Sequence, residues 1–401
     1  MTWWNMARTG SLFIIIGILS AAQAAEPIKI GFEAALTGGS SSAGIPMRNA
    51  VELAVAEINA KGGIAGRPIL LVERDDEGKN ELGVQIAQEL IDKEHVVAAL
   101  GYTNTGVALA NQRFYEEANI PVMTLGPTGT VITKQFTPPQ YDRNFVFRMS
   151  INDAIQSEMI AREAVDRSKY TKVAILADST NYGQLGRADL EAALSKRGVT
   201  PVAVEKFNIG DVDMSAQILR AKESGAQVIL TYGIGPELAR IANGMARLGW
   251  KVPMIGSWTL AYANFIDNAG ENGEGTRMPL SFVEEPSTAK RKAFIDAYAK
   301  GYGRNTMPAM SAQAYDGLYI LAAALRQAGS TDGTKLLDAL ENLKEPVEGV
   351  VTTYVKPFAA GDHEALSANV GVIGEIRNGR VAFAYDEDRK NASIVRVKSK
   401  D

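Results

Sequence analysis

From Ile28 onward, short apolar runs alternate with stretches in which apolar residues recur every three or four positions. The runs at residues 28–32, 68–73, 96–100 and 121–125 have the length and composition of strands buried on both faces. Between the first two, Met47, Ala50, Val51, Ala54, Val55 and Ile58 fall on one face of a predicted helix, and Gly62-Gly63 ends it. Leu82, Ile86, Leu90 and Ile91 mark a second helix, and residues 106–119 predict a third. The pattern then repeats. Strands are predicted at 144–148, 172–177, 202–206, 228–232 and 253–255, with helices at 154–168, 183–197, 214–224 and 236–248. Strand–helix alternation of this kind predicts parallel sheets covered by helices. Two such series predict an α/β protein with two doubly wound lobes.

The remainder is mixed. Residues 276–283 read as extended, 290–302 and 312–327 as helical, with Ala314, Leu318, Leu321 and Leu325 on one face. A short helix follows at 336–343, then strands at 350–355, 370–376 and 380–385, the last two joined by the hairpin signal Asn378-Gly379. This tail is too short for a third domain, so it is expected to add elements to both lobes and to cross between them more than once. The chain length of 401 residues agrees, since a single core stops growing at roughly 250–300 residues. The charge-rich end from Asp386 has little to bury and is expected to fray.

The first 25 residues change the picture of where this protein works. Arg8 precedes the apolar run Leu12 to Leu19, and Ala22-Gln23-Ala24 follows, which is the layout of a secretory signal peptide cleaved after Ala24 or Ala25. The run is shorter than the ~20 apolar residues that span a bilayer. The chain contains no Cys, so no lipid-bearing cysteine can anchor it, and a freely periplasmic location is expected. Cysteine nucleophiles and iron–sulfur ligation are excluded on the same ground. With only His95 and His363 besides, the usual zinc sites cannot be built. The formal net charge of −4 offers no basic excess for a phosphate backbone, so no nucleic-acid partner is expected.

In open parallel sheets, ligands bind beyond the carboxyl ends of the strands, where helix N-termini aim free N–H groups. The loops there are Gly101 to Gly106, Gly126 to Thr130, Asp178 to Gly183, Gly233 to Gly235 and Gly256 to Thr259. Each could merely cap its helix. Five of them split between two lobes favour a cleft site for a small molecule. Catalytic signatures are missing: Gly329 to Lys335 has the wrong spacing for a phosphate loop, and neither GxSxG nor HExxH occurs. Asp75-Asp76-Glu77-Gly78 reads as a solvated acidic turn rather than a cation loop. His95 and His363 read as surface residues. No enzyme activity, metal or cofactor is expected.

The mature chain resembles the periplasmic leucine/isoleucine/valine-binding proteins, the type I solute-binding proteins of ABC importers. The resemblance covers roughly residues 28–385. It rests on Ile28-Lys29-Ile30-Gly31-Phe32, on Asn49 to Ala54 running into Asn59-Ala60-Lys61-Gly62-Gly63-Ile64-Ala65-Gly66-Arg67, and on Phe147-Arg148, Tyr182-Gly183 and Ala314-Tyr315-Asp316-Gly317. It implies two Rossmann-like lobes joined by three crossovers, near residues 147–150, 277–281 and 350–354. The expected organisation is a signal peptide at 1–25, one lobe from 26–147 plus 281–350, a second from 148–280 plus 351–390, and a disordered tail at 391–401. It further implies capture of a ligand by lobe closure, docking onto membrane permease subunits, and a monomer.

Carried over residue by residue, the resemblance makes Ser42, Thr103, Asn104, Thr105, Gly126, Thr128, Ser150, Tyr182, Ile234 and Trp258 the expected ligand contacts. Thr103 to Thr105, Gly126 and Thr128 keep the chemistry that holds a carboxylate. Trp258 stands where amino-acid-binding members place the acid for the ligand's ammonium. An unpaired ammonium in a closed cleft is costly. The expected ligand is therefore a carboxylate without an amine, such as an aromatic acid. The alternatives are a branched-chain or other hydrophobic amino acid, with Asp178 or another acid supplying the charge, and a sensory ligand-binding subunit of the same fold.

Overall fold

Two sheets carry the chain, one wholly parallel and one parallel with an antiparallel edge. The computed structural model describes Met1, residues 26–393 and residues 397–398, so residues 2–25 of the expected signal peptide lie outside the described residues. The first sheet contains β1 (Ile28–Ala34), β2 (Ile69–Asp75), β3 (Ala98–Gly101), β4 (Val122–Thr124) and β5 (Val146–Arg148), in the order β2-β1-β3-β4-β5 and wholly parallel. Helices α1 (Ser41–Ala60), α2 (Asn80–Asp92) and α3 (Thr105–Glu117) connect its first four strands. The helix face read from the sequence is the buried one: Met47, Ala50, Val51, Ala54 and Ile58 of α1 all enter the core.

After α4 (Asp153–Ala161), the second sheet collects β6 (Val173–Asp178), β7 (Ala203–Phe207), β8 (Val228–Tyr232), β9 (Met254–Gly256) and β10 (Arg277–Leu280). Its helices are α5 (Asn181–Ser195), α6 (Ser215–Glu223), α7 (Glu237–Arg247) and α8 (Ala263–Ala269). The chain then returns to the first lobe as α9 (Ala289–Tyr302), α10 (Pro308–Ala328) and α11 (Gly333–Glu341), with α9 and α10 packed on α1. A short hairpin of β11 (Val347–Glu348) and β12 (Thr353–Tyr354) precedes the last strands, β13 (Val372–Arg377) and β14 (Arg380–Phe383), and then α12 (Asp386–Lys390). The last two strands add antiparallel to β10, giving β14-β13-β10-β9-β8-β6-β7. Both sheets reverse strand order beside their first strand, between β1 and β3 and between β6 and β8. Each lobe thus has a switch point, the crevice where open α/β sheets bind ligands.

The crossovers are held by buried charge. Arg148, at the end of β5, is wholly buried. Its guanidinium donates to Glu364 through Nε (2.8 Å) and Nη2 (2.5 Å), and to the Gly129 carbonyl through Nη1 (2.6 Å). Its backbone N–H donates to the His363 carbonyl and its own carbonyl accepts from Ala365. Residues 351–390, expected to pass straight to the second lobe, therefore first run along β5. Phe358 and His363 pack on Phe147 there. His363 is 3% exposed, not a surface residue, because its ring stacks on Phe147 and bonds the Val146 carbonyl and Glu341. The strand expected at 350–355 is interrupted by the buried Asp316 carboxylate, which accepts from the Val350 and Val351 N–H groups (2.6 and 2.8 Å) and from the Tyr354 hydroxyl (3.0 Å). The end of the chain, expected to fray, is tied down in part: Asn369 donates to the Val397 carbonyl (2.7 Å), and the Lys398 ammonium donates to the Pro357 carbonyl (3.0 Å) and pairs with Asp362 (2.5 Å).

Removing one partner of a buried pair strands the other. Arg148→Met is expected to lower stability by about 3–5 kcal/mol, and the double variant Arg148→Met/Glu364→Leu to regain most of it. Urea unfolding followed by circular dichroism measures both. Equal losses in the single and double variants would show that the guanidinium's bond to Gly129, rather than the ion pair, carries the effect.

Candidate functional site

The loop after β3 is shaped by a backbone that only glycine can start. Gly101 has φ +135°, and a Cβ there would lie 2.1 Å from the Glu33 carbonyl. Tyr102 follows at φ +64° and donates its N–H to the same carbonyl at 2.5 Å. This kink delivers Thr103, Asn104 and Thr105 to the crevice. Thr103 Oγ1 accepts from the Ala35 N–H (3.1 Å), at the end of β1, which leaves its hydroxyl proton free to donate outward. Asn104 caps α3 without a side-chain cap bond, giving its Nδ2 to Ser40 Oγ (3.0 Å). Its Oδ1 and the Thr105 hydroxyl are buried without a partner. The N-terminus of α3, with its unpaired N–H groups and positive end of the dipole, thus faces the crevice beside orphaned polar atoms. Gly126 lies against this loop: a Cβ would fall 2.6 Å from the Tyr102 carbonyl and 3.1 Å from Met310 Cε.

The second lobe supplies the aromatic wall. Tyr182, in the first turn of α5, is buried, and its ring lies 5.2 Å from that of Tyr232. Trp258 begins a short 3₁₀ turn and is 4% exposed, its N–H held by Gln156 Oε1 (3.1 Å). Ile234 is positioned by Asp178, whose Oδ2 accepts the Ile234 N–H (2.9 Å) and whose Oδ1 accepts from the Thr180 N–H (2.9 Å) and hydroxyl (2.5 Å). Both Asp178 oxygens are thereby engaged in shaping the loops, so Asp178 is not the spare acid for an ammonium.

These elements close on one chamber of about 10 Å³. Thr103, Asn104, Thr105 and Gly126 wall it from one lobe, and Tyr182, Ile234 and Trp258 from the other, joined by Thr259 and Tyr262. Seven of the expected contacts come together here. Three do not line it. Ser150 is buried and donates to the Pro127 carbonyl (2.9 Å), Thr128 lies buried beneath the loop, and Ser42 sits on α1 with a buried hydroxyl that makes no bond. Tyr262 was not among the expected contacts: it lies beyond the Gly256 to Thr259 loop, directly after a 3₁₀ turn that the sequence did not signal. The chamber contains no acid. A larger cavity of about 530 Å³ adjoins it, with Asn104, Thr105, Tyr182 and Ile234 lining both. Glu237 lines that outer cavity; it is 2% exposed, its Oε1 accepts the Gly210 N–H (2.8 Å), and its Oε2 has no partner. Asp76, read from the sequence as solvated, is in fact buried, its Oδ1 held by the Gly78 N–H (2.7 Å), and burial pushes its carboxyl up to about 6.

The lobes touch across this site. Thr130 of the Gly126 loop donates to Asp189 (2.6 Å), and Asn264 donates to the Gly39 carbonyl (3.2 Å). Asp153, first residue of α4, donates its N–H to the Thr128 carbonyl and accepts from the Tyr232 hydroxyl (2.8 Å). Burial pushes its carboxyl up to about 7. Among the described residues no cluster of potential metal ligands occurs, and no helix is long and apolar enough to cross a membrane.

Residues 27–373 match a family model described as periplasmic binding protein. A protein of Brucella melitensis named Leu/Ile/Val-binding protein homolog 3 is 29% identical over 340 residues, covering 84% of this chain and 89% of the relative. A periplasmic binding protein type 1 from Bordetella pertussis superposes with a TM-score of 0.80 at 29% identity, over 89% of this chain and 99% of that one. The branched-chain amino acid transporter substrate-binding protein LivJ of Streptococcus pneumoniae, solved with isoleucine, gives 0.77 at 25% identity over 88% and 97%.

Between pH 4 and 7 the unfolded chain has released the Asp153 proton and the folded chain keeps it, so this group makes stability fall as pH rises toward its folded pKa of about 7. Asp153→Asn keeps the acceptor for Tyr232 and removes the titration. Its melting temperature is expected to exceed that of the parent near pH 8, by at most about 4 kcal/mol of stability, with the gap closing by pH 4. A gap independent of pH would show that Asp153 does not titrate in this range.

Proposed function

The chain belongs to the periplasmic binding protein family, among the type I proteins related to the leucine/isoleucine/valine-binding proteins, and from that premise we propose that it captures a small apolar carboxylate, an aromatic acid such as a benzoate or hydroxycinnamate, for an ABC importer. One observation carries the choice of ligand: the inner chamber joins the Thr103 and Thr105 side chains at the N-terminus of α3 to Tyr182, Trp258 and Tyr262, with no acid among its lining residues. The carboxylate accepts from the Thr103 and Thr105 hydroxyls and the first N–H groups of α3, where dipole and hydrogen bonds act together. At about 10 Å³ the chamber is smaller than the ring, so the lobes part by rotation about the crossovers near Arg148 to admit it, and the aromatic side chains cover it as they close. The closed form presents a joint surface to the permease subunits. The A-x-A site at Ala22 to Ala24 and the absence of Cys support a freely periplasmic protein.

A second reading, a hydrophobic amino acid, is favoured by Glu237. Its free Oε2 borders the outer cavity that adjoins the chamber, and an ammonium reaching it would find a buried acceptor. The names of the relatives point the same way.

Calorimetric titration of the mature protein separates the two. Binding of 4-hydroxybenzoate that is weakened at least tenfold by Thr105→Ala and untouched by Glu237→Gln is the expected result. Leucine binding that is lost in both variants, with no heat from the aromatic acid, would replace the first reading with the second.

A further inference from the structure

The segment that walls the chamber has a second face. Trp258 and Tyr262 turn toward the cleft, whereas Ala261 and Ile266 line a separate cavity of about 460 Å³, within the size range of small-molecule sites. Its other wall comes from the first lobe, at the junction of α9 and α10, so the cavity lies between the lobes beside the crossover that follows β10. The floor is apolar: Leu280, Phe282 and Met307 are each at most 2% exposed.

Opposite charges stand on its rim without touching. Glu284 and Arg380 both line the cavity, and neither side chain makes a hydrogen bond or an ion pair among the described residues. They act on each other only through space. Arg304, also on the rim, is engaged with Asp267 across the lobes at 3.5 Å. A separated guanidinium and carboxylate over an apolar floor select by charge. A simple acid would meet the like charge of Glu284, and a simple amine that of Arg380, so each is disfavoured by repulsion. A molecule carrying both charges on one end and an apolar group on the other satisfies every wall.

We propose that this cavity is a second ligand site, for a free amino acid with an apolar side chain, its carboxylate on Arg380, its ammonium on Glu284 and its side chain over Phe282 and Met307. Because the walls belong to both lobes, an occupant ties them in the arrangement in which they meet. Occupancy is thereby coupled to the cleft, and each ligand changes the other's affinity by the same factor.

Two methionines report the sites separately. Met307 lines this cavity, while Met310 lies against Gly126 of the cleft. In the mature protein carrying ¹³C-methyl methionine, with the resonances assigned through Met307→Leu and Met310→Leu, L-leucine is titrated with and without saturating 4-hydroxybenzoate. The expected result is a saturable shift of the Met307 methyl that persists in Thr105→Ala and is weakened at least tenfold in both Arg380→Gln and Glu284→Gln. These two residues are exposed, so the variants are expected to fold. A Met307 shift that follows Met310 with one affinity in every protein, or that disappears in Thr105→Ala, would overturn the proposal. So would a Met307 shift indifferent to both rim substitutions. If leucine moves Met310 and Thr105→Ala abolishes that movement, the aromatic-acid reading of the cleft fails independently of this site.

Discussion

A guanidinium buried without solvent must be met on all sides, and Arg148 is met by two distant parts of the chain at once. Its carboxylate partner comes from the third crossover, its carbonyl partner from the Gly126 to Thr130 loop, and its backbone is bracketed by His363 and Ala365. Desolvating such a charge costs several kcal/mol unless every donor is satisfied. The fold satisfies the donors only by bringing the end of β5, the returning strand segment and the cleft loop together. The end of β5, the 363–365 segment and the Gly126 to Thr130 loop are consequently one hydrogen-bonded unit.

The cleft follows from sheet topology. In each lobe the strand order reverses next to the first strand, so the loops on either side of that point diverge and leave a crevice. Facing the two crevices across the hinge makes a chamber whose floor is a helix N-terminus and whose roof is aromatic. The hydroxyl of Thr105 and the side-chain carbonyl of Asn104 are left buried there without a partner, whereas buried polar atoms are almost always paired. Asp178 illustrates the opposite outcome. It ends β6, the first strand of the second sheet, and spends both oxygens on Thr180 and Ile234, so it shapes the chamber's loops without offering charge there.

The 258–266 segment links this chamber to the cavity behind it. Its faces alternate, aromatic toward the cleft and small or aliphatic toward the second cavity, so one segment walls both. Glu237 and Glu284, acids that periodicity could not distinguish from other solvated residues, acquire chemical meaning only from what surrounds them.

Much of this was legible in the chain. Strand–helix alternation specified two doubly wound lobes, and the strand-end loops Thr103 to Thr105, Gly126, Tyr182, Ile234 and Trp258 specified the walls of the site, because local periodicity and turn chemistry are properties of neighbouring residues. Burial of His363 and Asp76, the interruption of the last crossover by Asp316, the exhaustion of Asp178 and the arrival of Tyr262 were not legible. Each depends on a partner far along the chain, with Val350 lying 34 residues from Asp316 and Val146 lying 217 from His363. The sequence by itself determined which elements form and where their loops emerge. Only the tertiary structure decided which polar atoms those loops use up on each other and which they leave free for a ligand, since that depends on distances set by packing rather than by order along the chain.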